Sequence, residues 1–134
     1  MALSILVFLV EDEPAIRDLV HEALEDGGFA VAKASSGTEA IAMLEAEGAE
    51  FRALVSDIHL GPGPTGWDVA RRARELNDHL PVVYMSGGNA HEWASQGVPK
   101  SILITKPFAP AQIVTAISHL LNISAAGLPL GDGT

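Results

Sequence analysis

Asp57 closes the mostly apolar run 51–56, and three other short apolar runs end in residues suited to the same chemistry. Run 5–10 leads into Glu11, Asp12 and Glu13; run 81–85 into Ser86, Gly87 and Gly88; run 101–105 into Lys106 and Pro107. Gathered at one place, these groups suit transfer of a phosphoryl group to a carboxylate. An ionised aspartate serves as nucleophile, while charge neutralisation and positioning supply most of the catalysis. Three converging carboxylates repel one another and raise each other's pKa unless a cation joins them. Mg²⁺ suits that role, because it takes oxygen ligands and combines one or two carboxylates with phosphate oxygens. Asp57 is therefore the candidate phosphoacceptor, Glu11 and Asp12 are candidate metal ligands beside it, and Lys106 and Ser86 are candidate partners of the phosphoryl oxygens.

Each residue alone has a plainer reading. Acids before Pro14 suit a helix N-terminus, an aspartate suits a turn, Ser86-Gly87-Gly88 reads as a turn, and Lys106 as a solvated lysine. Their shared position at the ends of strand-like runs is what unites them. Between the runs lie helical patterns, at intervals of roughly 25 residues, the mark of repeated βα units and a parallel sheet. Strands are expected at about 4–10, 29–34, 52–56, 81–86 and 101–105. The first helix is expected from Pro14 to a stop at Gly27-Gly28, and the second opens at Ser36-Gly37-Thr38, with Thr38 as a plausible cap. The others are expected at about 67–76, 89–96 and 109–122, leaving 123–134 as a frayed tail. Five strands and five helices joined by right-handed crossovers give a three-layer α/β domain with the flavodoxin-like strand order 2-1-3-4-5. The switch point of that order, between the first and third strands, sets Glu11 and Asp12 opposite Asp57.

Composition narrows the function. The 134 residues fit one domain, and no apolar stretch reaches the ~20 residues of a membrane helix. The start Met1-Ala-Leu-Ser lacks the basic residues of a secretory signal, which makes the cytoplasm the expected compartment. With no cysteine, disulfides and thiolate-bound zinc are excluded. A net charge of −9 opposes binding to a DNA duplex. The basic cluster Arg71, Arg72 and Arg74 reads as the solvated face of a helix whose apolar side is Val69, Ala70, Ala73 and Leu76. His21, His79, His91 and His119 are scattered and expected to be exposed, whereas His59 lies two residues beyond Asp57. Trp67 and Trp93 read as packing or partner-surface residues.

Over about residues 4–122 the sequence resembles the receiver domain of bacterial two-component response regulators. The matching segments are Val10-Glu11-Asp12-Glu13-Pro14, Asp57, Gly66-Trp67-Asp68, Ser86-Gly87 and Lys106-Pro107-Phe108. The resemblance implies a receiver domain over 1–122 that takes a phosphoryl group from a histidine kinase or histidine phosphotransferase onto Asp57. It implies Mg²⁺ held by Asp12, Asp57 and the backbone carbonyl of His59, with Glu11 acting through water. Lys106 binds the phosphoryl group, Ser86 moves toward it as the switch, and the bond between Lys106 and Pro107 is cis.

Three features depart from the family's pattern. Glu11 stands where aspartate is usual, the loop from Asp57 to Gly66 is one residue longer, and Leu103 stands where many receivers carry an aromatic residue that moves with the switch hydroxyl. The expected role is a stand-alone receiver that catalyses its own phosphorylation and dephosphorylation, is not otherwise an enzyme, and acts through protein contacts as relay, phosphate sink or allosteric partner. No nucleic-acid or membrane partner is expected. A phosphorylation-independent binding module is the alternative. A flavodoxin-type FMN carrier would need a hydroxyl- and glycine-rich cradle where this chain has three acids. A phosphatase of the haloacid-dehalogenase type would need two aspartates separated by one residue after the first strand, and they are absent.

Overall fold

Strands buried on both faces are apolar almost throughout, and β1 (Leu6–Val10) follows that rule, with Val7 to Val10 fully buried. The computed structural model describes residues 4–88 and 90–125. In it β1, β2 (Ala30–Ala34), β3 (Ala53–Asp57), β4 (Val82–Ser86) and β5 (Ile102–Thr105) form one parallel sheet of order β2-β1-β3-β4-β5. This is the expected flavodoxin-like order. Side chains alternate across the sheet. Phe8, Val10, Leu54, Val82 and Tyr84 join the layer under α2 (Gly37–Glu47) and α3 (Gly66–Leu76). Val7, Leu9, Val55, Val83 and Met85 join the layer under α1 (Pro14–Asp26) and α5 (Pro110–Ala125). Aromatic contacts tighten the first layer: Phe8 stacks on Phe51 at 4.3 Å, and Trp67 meets Tyr84 edge-on at 4.7 Å. Among the described residues no helix is long and apolar enough to cross a membrane.

The helix signals hold with local corrections. Pro14 opens α1, where its missing N–H costs nothing, and Gly28, at φ 96°, turns the chain away after the helix. At α2 the cap is Ser36, not Thr38: the Ser36 hydroxyl accepts from the Glu39 amide at 3.1 Å. A cap residue must precede the first helical residue with extended backbone, and Thr38 lies inside the helix. Thr65 and Asp68 form a reciprocal capping box at α3. The fourth helix is expected over 89–96, but among the described residues of that span there are only a 3-10 turn at Ala90–Glu92 and one helical turn, α4 (Trp93–Gln96). At the cap position of α4, the Glu92 side chain makes no capping hydrogen bond. α5 runs to Ala125, beyond the expected 122, and the remainder of the expected tail, 126–134, lies outside the described residues.

Two polar expectations change. Arg71 and Arg74 do not simply face solvent; they tie α3 to the crossover between β4 and β5. Arg71 donates to the Gln96 carbonyl, and Arg74 donates to the carbonyls of Leu80 and Pro99 at 2.7 Å each. Arg72 pairs with Glu45 and Glu75. The guanidinium donors thus bond carbonyls just before β4, at the end of α4 and in the turn after it. His79, His91 and His119 are exposed, but His21 is partly buried, with Nε2 3.1 Å from Glu25 one helical turn on.

Candidate functional site

The carboxyl ends of β1, β3 and β5 deliver the acids and the lysine to one crevice. β1 ends at Val10, so Glu11 and Asp12 emerge where the chain leaves the sheet for α1. Glu11 is fully buried, its carboxylate accepts from the Glu13 amide at 3.1 Å, and its carbonyl accepts from Arg17 at 3.1 Å. Asp12 is exposed at the mouth. Asp57 closes β3 and is 6% exposed. Its Oδ1 accepts from the Ile58 amide at 2.8 Å, and its Oδ2 faces Lys106 Nζ at 3.1 Å. The same Nζ lies 3.4 Å from Glu11 Oε1. One oxygen each from Glu11, Asp12 and Asp57 falls within 4.8 Å of the others.

Lys106 is held there by backbone structure. Its amide donates to the Ser86 carbonyl at 2.7 Å, and the Lys106–Pro107 peptide bond is cis. Ser86 ends β4, next to β3 in the sheet, and is 1% exposed. His59 is exposed, two residues beyond Asp57. Leu103 on β5 pairs in register with Tyr84 on β4 and packs against the layer beneath α3.

Charge within the cluster is unbalanced, with three carboxyl groups around one ammonium. Burial first, and the Asp57 charge second, push the Glu11 carboxyl up to about 8, against the opposing effects of the Glu13 amide and Lys106. Burial disfavours the Lys106 charge, but Asp57 and Glu11 outweigh it and raise its pKa above the usual lysine value. Burial and the nearby Asp57 charge thus favour the protonated Glu11 carboxyl. With every candidate ligand an oxygen and one acid open to solvent, the set fits a hard divalent ion such as Mg²⁺.

The sequence pattern leaves three supporting groups unmarked. The Ile58 amide is backbone and carries no residue signature. Arg17 reaches back six residues, past the start of α1, to the Glu11 carbonyl. Gly66 is legible only as a match to the family pattern, yet its role is steric: a Cβ there would lie 2.1 Å from the Asp57 carbonyl oxygen. The Gly66 amide donates to the Ile58 carbonyl at 2.8 Å, closing the base of the loop that follows β3.

A family model described as the response regulator receiver domain matches residues 7–118. The crystal structure of a response regulator receiver protein from Sinorhizobium medicae WSM419 matches with a TM-score of 0.86 and 45% identity, over 89% of this chain and 95% of that one. The transcriptional regulatory protein TrcR of Mycobacterium tuberculosis (strain ATCC 25618 / H37Rv) is 34% identical over 123 residues, covering 90% of this chain and 47% of TrcR. The sensor kinase CckA of Brucella abortus (strain 2308) is 32% identical over 122 residues, covering 89% of this chain and 13% of the kinase. This chain thus spans less than half of either curated relative.

Proposed function

Because this chain belongs to the response regulator receiver domain family, we propose that Asp57 accepts a phosphoryl group from a histidine kinase or histidine phosphotransferase. The phosphorylated protein then signals through protein contacts, as relay intermediate, phosphate sink or allosteric partner. The observation that carries this reading is Lys106 Nζ set between Asp57 and Glu11, with Asp12 completing the carboxylate cluster. Asp12, Asp57 and the backbone carbonyl of His59 would hold Mg²⁺, with Glu11 acting through water, and the ion would supply charge neutralisation during transfer.

The chain's own groups carry the remaining steps. The Ile58 amide fixes the Asp57 carboxylate by holding Oδ1. A carboxylate oxygen attacks phosphorus as the phosphorus–nitrogen bond to the donor histidine breaks, and the imidazole nitrogen leaves with the electron pair. Lys106, already at hydrogen-bond distance from Oδ2, follows the negative charge onto the phosphoryl oxygens. The Ser86 hydroxyl donates to another of them, drawing in the end of β4. Attack of water on phosphorus breaks its bond to the Asp57 oxygen, releases inorganic phosphate and restores the carboxylate, so the protein promotes its own phosphorylation and dephosphorylation. The net charge of −9 favours a protein partner over a nucleic acid.

The test is incubation with a small acyl phosphate and Mg²⁺. One acid-stable, base-labile phosphoryl group per chain is expected, and Asp57→Asn is expected to abolish it. Full labelling of that variant, or labelling indifferent to EDTA, would refute the assignment.

A further inference from the structure

The loop between β3 and α3 touches a second element far away in sequence. Gly37, the first residue of α2, lies directly against Pro64: a Cβ at Gly37 would sit 2.1 Å from the Pro64 carbonyl oxygen and 2.8 Å from its carbonyl carbon. The next residue of α2 continues the contact, because a Cβ at Gly63 would lie 3.2 Å from Thr38 Oγ1. The approach to the Pro64 carbonyl is to backbone, which no side-chain rotation can relieve. It falls more than about an ångström short of ordinary non-bonded separation.

We infer that Gly37 is a positioning residue for the metal and phosphoryl site, seating the β3–α3 loop on the N-terminus of α2 so that His59 is presented correctly beside Asp57. This rests on the phosphoacceptor reading above. The base of the loop is fixed, with Gly66 pinned against the Asp57 carbonyl and bonded to Ile58. Above the base, Gly61 and Gly63 adopt φ of 77° and 95°, conformations open mainly to glycine, and the segment 61–63 is exposed. α2 is the firmer partner. Ser36 caps it, Glu39 accepts from the Ser35 amide at 2.7 Å, and Ala40 and Leu44 are buried in the core.

A side chain at position 37 would therefore displace the loop more than the helix. With Ile58 and Gly66 fixed, a shift at Pro64 falls on 59–63 and Thr65, a stretch whose one core anchor is Leu60, next to His59. Mg²⁺ demands near-ideal ligand geometry, and a misplacement of about 1 Å can cost on the order of a hundredfold in a catalysed step. Coupling is reciprocal: if α2 sets the loop, cation binding at the loop has to stiffen the start of α2.

The experiment uses the full chain and MgCl₂ as the probe, reading tryptophan fluorescence for binding and phosphoryl labelling by acetyl phosphate for function. Gly37→Ala is expected to raise the Mg²⁺ Kd by about tenfold or more and to slow labelling comparably. Gly28→Ala serves as the control, since Gly28 has φ 96°, an open surrounding and a place at the end of α1. That variant is expected to lower thermal stability while leaving the Kd at the wild-type value. Hydrogen exchange on the wild type decides independently should Gly37→Ala fail to fold: Mg²⁺ is expected to slow exchange at both 37–40 and 61–65. Wild-type Mg²⁺ affinity in Gly37→Ala, or protection confined to 61–65, would overturn the inference while leaving the phosphoacceptor reading intact. A wild type that neither binds Mg²⁺ nor accepts label would remove that reading, and this inference with it.

Discussion

Removing the charge of Glu11 is the most informative perturbation of this site. With its carboxyl raised to about 8 by burial and by Asp57, Glu11 holds roughly ten protons for each one released at neutral pH in the metal-free protein. A cation that draws on an ionised Glu11 must displace that proton. Mg²⁺ affinity is then expected to rise about tenfold per pH unit up to pH ~8 and to level off above it. Between pH 6 and pH 8 the wild-type Kd is expected to fall by up to about a hundredfold. In Glu11→Gln, which keeps the shape of the neutral acid, the Kd is expected to stay flat, close to the wild-type value at pH 6 and weaker than it at pH 8. Tryptophan fluorescence titrations across this range read both curves.

The same proton governs stability, with a sign opposite to that of an ordinary carboxylate. The folded pKa lies above the ordinary value of 4.5, so between the two the folded chain binds more protons than the unfolded one. Stability is therefore fully present below about pH 4.5 and is lost as pH rises toward 8. The ceiling on that loss is roughly 5 kcal/mol for the Glu11 carboxyl. Denaturant unfolding without metal is expected to give a wild type less stable at pH 8 than at pH 6, a Glu11→Gln variant without that loss, and recovery of the wild type on adding Mg²⁺. If wild-type stability and Mg²⁺ affinity prove indifferent to pH, or if Glu11→Gln keeps the pH dependence, the assignment of the buried proton to Glu11 is wrong.

Asp12→Asn is expected to weaken Mg²⁺ binding at pH 7 more than Glu11→Gln does, because Asp12 is the exposed, directly coordinating candidate and Glu11 is already largely neutral there; the reverse ranking in fluorescence titrations would exchange their roles. His59 is exposed beside the site and is expected to orient the water that attacks phosphorus. His59→Ala is accordingly expected to lengthen the Asp57 phosphoryl half-life, and an unchanged half-life from about pH 6 to about pH 8 would remove His59 from the chemistry. Arg74→Ala leaves the Leu80 and Pro99 carbonyls without their guanidinium donor and is expected to cost about 1–3 kcal/mol in denaturant unfolding; a loss below about 0.5 kcal/mol would place the cluster back in solvent.

Much of the fold was legible because its signals are local. Runs of apolar residues ending in acid, hydroxyl or lysine repeat along the chain, and Pro14, Gly27 and Gly28 punctuate α1 where the structure begins and ends it. Short strands in such a pattern leave few chain paths, so the order β2-β1-β3-β4-β5 and the meeting of Glu11, Asp12, Asp57 and Lys106 followed from connectivity. The structure departs from the sequence pattern where local signal is weak or tertiary partners decide. Thr38 looked like a cap because residue type alone does not fix which backbone position precedes the helix. α4 shrank to one turn in a segment held by distant groups, with Trp93 Nε1 on Ser101 and the Val98 amide on the Tyr84 hydroxyl.

The sequence by itself determined which groups reach the carboxyl edge of the sheet, since a strand's end and the residue after it are adjacent in the chain. Only the tertiary structure decided the state of those groups. Whether Glu11 carries a proton depends on how deeply it is buried and how near Asp57 lies, and neither distance is encoded in spacing. Arg71 and Arg74 reach carbonyls of other segments, and Gly37 and Gly66 are required by backbone that arrives from elsewhere in the chain. Such requirements arise from two segments meeting in space, so a single segment read alone carries no mark of them.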